Sequence, residues 1–559
     1  MAAGRCMRLI FCALLPSLSE GVAHEVKPPF SGAGTPIRCA PARRHIYGQT
    51  ARSSERRCMT AVVVGSLPAA AVADPGLGGT SGRPMLALSW AELAEYARDA
   101  ARSGGCTRPV RLKGRLDAID LATGERRTMY DTATEPGGVL LMACGNRRES
   151  VCPPCSQVYK QDARQLVRAG LTGGKGIPET VAGHPCVFAT FTAPSFGPVH
   201  SRRTRGKTVL PCRPRRDHKE RRCPHGRDIS CPRRHNEDDP RLGGPLCAEC
   251  YDYEAAVLFN AYAGRLWRRF TTYLPRHLAR RAGVTQRQLR ALVRVRYVKV
   301  AEYQERGVVH FHAVIRLDAP GEDYQPPAER FTADLLADAI RDAAAAVRLI
   351  QGPDDDHPDW PVLVLRFGTQ VDPRPVRPVG DGLPGTGRKL SVDAVANYIA
   401  KYATKSLTAP GLPSRPICSR LDIDGLRCSR HYKQMIDAAW RMGARRATGN
   451  SRLRTAAHAL GWGGHFLTKS RHYSTTFGHL RRARAEYRKR QRCPDGERDP
   501  WGRPLDDTVV LVLKTWAYDG TGYITTAGAG AGPRLGCSRP RPGTARTSRL
   551  TDRRDRMEE

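Results

Sequence analysis

The stretch that decides the fold is Val293-Arg-Val-Arg-Tyr-Val-Lys-Val-Ala-Glu-Tyr-Gln304, then Glu305-Arg306-Gly307, then Val308-Val-His-Phe-His-Ala-Val-Ile-Arg-Leu-Asp318. Two runs of β-branched and aromatic residues around a short Gly-containing turn read as a β-hairpin. Side chains alternate across a strand, so His310 and His312 leave the same face. A three-residue turn sets position 302 opposite 310 and brings Glu302 beside His310. Two imidazoles and a carboxylate offer a site for a divalent cation, and the carboxylate favours Mg²⁺ or Mn²⁺ over zinc. A His-x-His pair is also what two ordinary strand histidines on a polar face produce.

Outward from the hairpin, the pattern alternates between strands and helices. Upstream lie a strand-like run at 186–192 and a long helical pattern from 251 to 283, with Pro275 expected to kink or divide it. Downstream follow an Ala-rich helix over 331–349, a short strand over 361–371, a Gly/Pro-rich loop over 373–387 and a helix over 392–405. The order β-α-β-β-α-β-α favours an α+β fold, a central antiparallel sheet packed by helices. Residues 86–104 carry helical spacing, 406–500 look helical and basic, and 506–518 read as a further strand. Residues 1–85 are expected to be a disordered basic extension, with Met59 as an alternative start, and 528–559 a disordered tail.

The last helix of that series carries Tyr398-Ile-Ala-Lys401-Tyr402-Ala-Thr-Lys405. Tyr398 and Tyr402 are spaced i, i+4 and share one face; Lys405 continues that side, with Lys401 between the tyrosines. A phenol is a weak nucleophile near neutral pH unless positive charge stabilises it, which lysines and a divalent ion supply. The plainer reading is a pair of tyrosines packed on a sheet.

Charge names the partner class. The chain has 559 residues with 91 Lys+Arg against 54 Asp+Glu, a formal net charge of +37, which points to a polyanion such as nucleic acid. An anionic membrane surface is the weaker alternative; no apolar run approaches the roughly 20 residues that span a bilayer, and together with the motifs no membrane partner and a cytoplasmic location are expected. The Arg- and Leu-containing N-terminus imitates a signal peptide only faintly. No GxxxxGK[ST] loop is present, so no fused helicase is expected. Basic stretches at 202–222 and 481–492, the latter with Arg481, Arg482, Arg484 and Arg488, are candidate phosphate contacts.

Of the 18 cysteines, nine fall between 144 and 250, eight of them (all but Cys186) in two groups at 144–155 and 212–250. In a reducing compartment such clustering favours structural Zn²⁺ over disulfides. Cys106, Cys144, Cys152 and Cys155 form one candidate tetrad, and Cys223, Cys231, Cys247 and Cys250 another, each containing Cys-x7-Cys and ending in Cys-x2-Cys. His225 and His235 are substitutes in the second group and Cys212 a spare, while Cys418, Cys428, Cys493 and Cys537 stay unassigned.

In combination these motifs resemble the HUH endonucleases that initiate rolling-circle replication. The resemblance rests on Phe188-Ala-Thr-Phe-Thr192, on Glu302 to His312 as metal motif, and on Tyr398 to Lys405 as a two-tyrosine nucleophile motif. Cys144-Gly-Asn-Arg-Arg148, Gly173-Gly-Lys-Gly-Ile-Pro-Glu-Thr180, Ala193-Pro-Ser-Phe-Gly-Pro-Val-His200 and Gly463-Gly-His-Phe-Leu-Thr-Lys-Ser-Arg471 are more closely similar to replication initiators of actinobacterial plasmids and integrative elements. The resemblance implies an HUH core over 185–410 with a zinc-binding insertion at about 201–250. That core is preceded by a zinc-binding region over 86–184 and followed by a basic helical and strand region over 411–527. It further implies nicking of single-stranded or melted origin DNA through a 5′-phosphotyrosine, with a host helicase and polymerase as further partners. A relaxase or transposase, or a non-catalytic zinc-dependent DNA-binding regulator, are the alternatives.

Overall fold

A computed structural model of the chain describes residues 90–214, 222–321, 323–352, 362–376, 391–405, 412–413, 415–444, 451–494, 496, 498–504 and 509–523. The extension expected over 1–85, the tail over 528–559, Cys537 and parts of the 202–222 and 373–387 stretches lie outside them.

The first elements are helix α1 (Trp90–Arg102), strands β1 (Val110–Asp120), β2 (Arg126–Asp131) and β3 (Leu140–Met142), and helix α2 (Pro153–Thr172). Next come β4 (Cys186–Phe191), the small ribbon β5 (Arg203–Arg205) and β6 (Thr208–Leu210), helices α3 (Tyr253–Arg281) and α4 (Gln286–Leu292), and the hairpin β7 (Arg294–Tyr303) and β8 (Val309–Asp318). Helix α5 (Ala333–Ala346), strands β9 (Leu349–Gln351), β10 (Leu363–Leu365) and β11 (Val371–Pro375), and helix α6 (Val392–Thr404) follow. The series ends with helices α7 (Arg420–Asp424), α8 (Arg430–Met442) and α9 (Ser451–Thr455), strand β12 (Leu467–Lys469), helix α10 (Phe477–Arg492) and strand β13 (Val510–Thr521).

The main sheet is antiparallel in the order β11-β4-β8-β7-β12, which puts β8 at its centre. Its register pairs Glu302 with His310, as a short turn demands, and Thr190 with His312. Period-2 alternation divides the two faces. On one, Val187, Ala189, Phe191, Ala301, Tyr303, Phe311, Ala313, Ile315 and Leu317 pack in one core with α3, α5 and α8. On the other, Cys186, Val298, Val300 and Val314 pack with α2 and α6. Both faces are covered, and β8 keeps strict alternation: Val309, Phe311, Ala313, Ile315 and Leu317 enter the first core, while His310, His312, Arg316 and Asp318 line the second face beside Val314.

Two polar groups fasten this core. Asn260 of α3, fully buried, donates to the Gly307 and Leu460 carbonyls at 2.9 and 2.8 Å and accepts from the Val309 N–H at 2.8 Å, tying the hairpin turn to its helix. Arg316, also fully buried, forks onto Asp318 at 2.6 and 2.8 Å and bonds the Gly170 carbonyl of α2. His184 binds the same Asp318 carboxylate at 2.8 Å. Burial opposes ionisation of Asp318, but these bonds outweigh it and hold the carboxyl below its usual range.

Two local expectations are corrected. Pro275 does not divide α3, because Leu274 and Leu278 on either side are fully buried and hold the helix continuous against the sheet. The strand expected over 361–371 shrinks to β10, which pairs with β9 in a separate ribbon, while β11 runs along β4 over the start of the stretch expected as a loop from 373. Pro373 and Pro375 hid β11, yet an edge strand has no ladder partner for their missing N–H groups.

A second antiparallel sheet, β13-β1-β2 with β3 also on β1, joins the first and last described strands. Gly114 lets them approach, since a Cβ there would lie 1.8 Å from the Thr515 carbonyl oxygen.

Candidate functional site

Three donor atoms meet on the α2/α6 face of the main sheet. Glu302 Oε2 lies 3.0 Å from His310 Nε2 and 3.1 Å from His312 Nε2. His312 Nδ1 is bonded to Thr190 Oγ1 at 3.0 Å, which leaves Nε2 turned to the cluster. Burial disfavours the charged Glu302 carboxylate, but the two imidazoles outweigh that and hold its pKa at about 2. Burial also lowers His312. One hard carboxylate oxygen and two imidazole nitrogens are a donor set that a divalent cation fits, with Thr190 as the group that orients a ligand.

Helix α6 reaches this cluster because its apolar stripe, Val395, Ala396, Ile399, Ala400 and Ala403, seats it on the sheet. The Ser391 hydroxyl caps its start by accepting from the Ala394 N–H. Tyr398 then places its hydroxyl 3.2 Å from His312 Nε2. Phe188 walls the spot, parallel to His312 at 5.8 Å and edge-on to Tyr398 at 5.7 Å. The Tyr402 ring lies 4.5 Å from Tyr398 and 5.7 Å from His312. Lys405 Nζ is 3.4 Å from Glu302 Oε1, whereas exposed Lys401 meets only the Tyr402 ring among these groups, at 5.6 Å. Burial, with Tyr402 and Glu302 adding to it, raises the Tyr398 phenol well above its usual pKa.

The C-terminal end of α6 is held by Arg147, a residue that sequence reasoning quoted without a role. Its guanidinium donates to the Ala403 and Lys405 carbonyls at 3.0 and 3.3 Å and stacks on Phe466 at 3.7 Å. Phe188 and Thr190 lie in the strand motif on which the resemblance rests, where they carried no individual role, and Asn260 was not singled out.

Among the cysteines, Cys106, Cys144, Cys152 and Cys155 do converge, with all four sulfurs within 4.8 Å of one another. The second expected tetrad is corrected. Cys231 does not join Cys223, Cys247 and Cys250; it lies with His200, Cys212 and His235, and His225 takes its place. The backbone is the reason. Residues 212–213 pair with 231–233, through Cys212 N–H to Arg233 O at 2.8 Å and Cys231 N–H to Arg213 O at 2.7 Å. A tight turn, Cys223 N–H to Arg227 O, folds His225 back toward Cys223 instead.

The basic helix α10 is corrected in one residue. Arg484 is spent on Asp162 of α2, a fork whose longer arm is 2.7 Å, so it anchors the helix rather than facing outward like exposed Arg481, Arg482 and Arg488. Tyr473, beside this stretch in sequence, is fully buried against Gly170.

The profile of RepSA, described as replication initiator protein, pSAM2, matches residues 92–530. The chain belongs to this family of replication initiators. A replication initiator protein from Streptomyces ambofaciens is 44% identical over 446 residues, covering 78% of this chain and 89% of that one. No solved structure matches. For this RepSA-family member the matched span contains every cluster described above. No helix among the described residues is long and apolar enough to cross a membrane.

Proposed function

We propose that this initiator nicks and rejoins origin DNA by transesterification in an HUH-type site. The observation that carries the reading is the Tyr398 hydroxyl, 3.2 Å from a histidine that also meets Glu302 and His310. Glu302, His310 and His312 would hold Mg²⁺ or Mn²⁺, which supplies charge to polarise a scissile phosphate. Tyr398 attacks phosphorus. A phosphotyrosine bond to the 5′ side forms, the bond to the 3′ oxygen breaks, and the released 3′-hydroxyl accounts for the phenolic proton. That hydroxyl primes a host polymerase, with a host helicase opening the duplex. Because burial keeps the phenol protonated, positive charge from Lys405 matters at the attack. Tyr402, one turn along, serves a second transesterification that closes the displaced strand, and Lys401 at the outer rim meets DNA phosphate. Zinc on the cysteine-rich clusters is structural.

The test is covalent trapping. Single-stranded oligonucleotides from the element's own origin, incubated with the full chain and Mg²⁺ or Mn²⁺, should give a protein–DNA adduct on denaturing gels. Tyr398→Phe should cut its formation by about 10³-fold or more, and the double Tyr398→Phe, Tyr402→Phe change should abolish it. Absence of adduct on every single-stranded and supercoiled substrate would overturn the reading.

A further inference from the structure

The segment after β4 has almost nothing with which to build a core. Residues 201–250 contain Val209, Leu210, Ile229, Leu242 and Leu246 as their large aliphatic side chains and no Phe, Trp or Tyr. Yet Cys212 is 1% exposed, Cys231 5%, Cys247 2% and His235 0%. A segment this poor in apolar surface needs another source of order to bury thiols and imidazoles together.

Its ligand-type atoms form two tetrads: His200, Cys212, Cys231 and His235 in one, Cys223, His225, Cys247 and Cys250 in the other. Along the chain they alternate in pairs. The first pair, His200 and Cys212, belongs with the third, Cys231 and His235; the second, Cys223 and His225, belongs with the fourth, Cys247 and Cys250. None of these cysteines is disulfide-bonded. Around the first tetrad the supporting bonds are those of a ligand shell. His235 Nδ1 binds Asp239 Oδ2 at 2.7 Å, a carboxylate that Arg241 clamps at 2.9 and 2.6 Å, so Nε2 is aimed at Cys231 Sγ, 3.5 Å away. A carboxylate on the far nitrogen is how a metal-binding imidazole is fixed in tautomer and direction. Cys212 Sγ accepts the Ser201 N–H at 3.2 Å.

We propose that these eight residues bind two zinc ions in interleaved sites, a cross-braced module in which each ion ties together chain segments that flank a ligand pair of the other. Mixed sulfur and imidazole donors select zinc over Mg²⁺ or Ca²⁺. The module also bears on the candidate nicking site. His200 exchanges backbone hydrogen bonds with Gly243 and Gly244 at 2.9 Å each. Gly243, at φ +78°, lies flat on the hairpin turn, where a Cβ would come 2.0 Å from the Glu305 carbonyl oxygen. The first zinc thus braces the turn between Glu302 and His310.

Zinc counting on the full-length chain tests this, and its outcome does not depend on whether DNA is nicked. Elemental analysis and native mass spectrometry should find three zinc ions, one on the Cys106 tetrad and two here. Cys212→Ser, Cys231→Ser and their double variant should each retain two, while Cys212→Ser with Cys223→Ser retains one. Three ions remaining in Cys212→Ser, or only one ion lost when Cys223→Ser and Cys231→Ser are combined, overturns the interleaving. His200→Cys guards against variants that fail to fold: it keeps a ligand, so three metals should remain. In the Co²⁺-loaded protein the thiolate-to-metal absorption should then rise by one thiolate, and an unchanged spectrum overturns the assignment.

Discussion

The β7–β8 hairpin and the Cys/His-rich segment after β4 place polar side chains by opposite means. In the hairpin, Glu302, His310 and His312 are fixed because their strands are buried on both faces, by Phe311, Ala313 and Ile315 on one side and Val298, Val300 and Val314 on the other. A one-residue slip would turn every one of these to the wrong face, so the core itself enforces the register. The segment after β4 has no such core, and its ligands find one another through short backbone pairings such as Cys212 with Arg233. Order in the hairpin rests on water leaving apolar surface; the segment after β4 has too little apolar surface for that to order it.

Removing metal breaks that comparison most forcefully. Structural zinc supplies on the order of 10 kcal/mol or more of apparent folding free energy. A strong chelator at neutral pH should therefore expose amides across residues 200–250 to fast hydrogen exchange, with the β7 and β8 amides still protected. Exchange at the Glu305–Gly307 turn should rise with the segment, because Gly243 packs on it. Simultaneous loss of protection in β8 would show the hairpin to be metal-built as well.

The contrast also explains what was legible in the sequence. The hairpin, its register and the Tyr398 helix could be read because period 2 and period 3.6 are consequences of burial, and burial is written in residue type. Glu302 opposite His310 needed only a turn length. The pairing of Cys231 could not be read, because a Cys-x7-Cys echo carries no information on which loop folds back. Arg484 and Arg482 look alike in sequence, and only Asp162 on another helix separates them. Strand β11 was hidden by its prolines, whose tolerance depends on a sheet edge that exists only after folding.

A smaller effect is expected inside the well-packed region. Asp318→Asn leaves the buried Arg316 guanidinium without its counter-charge and should cost about 3–5 kcal/mol in urea unfolding. The sign with pH follows from the depressed carboxyl. Its contribution is fully present above the unfolded carboxylate pKa of about 3.9 and is lost as pH falls below it. Wild-type stability should drop on acidification through that window, and the Asn variant should show a shallower acid limb.

Arg147 joins the two regimes, since it follows Cys144 of the first tetrad and holds the end of the tyrosine helix. Arg147→Ala removes two charge-assisted bonds and the stack on Phe466. A loss of about 2 kcal/mol of stability is expected, with slower adduct formation and unchanged DNA affinity. Equal losses in affinity and adduct would instead place Arg147 on the DNA.

The finest discrimination lies within helix α10, where neighbouring arginines serve packing or solvent. Exposed Arg482 and Arg488 carry no ion pair among the described residues, so their charge is available to phosphate. Replacing each with Ala should make log affinity for single-stranded DNA less salt-dependent by about 0.7 per lost contact, at unchanged thermal stability. Arg484→Ala should do the reverse: the Asp162 fork is lost, α10 loosens from α2 and the melting temperature falls while the salt slope stays. Equal salt effects from all three would mean that the Asp162 pair opens when DNA binds, and that the outer face of α10 is set by the ligand rather than by the fold.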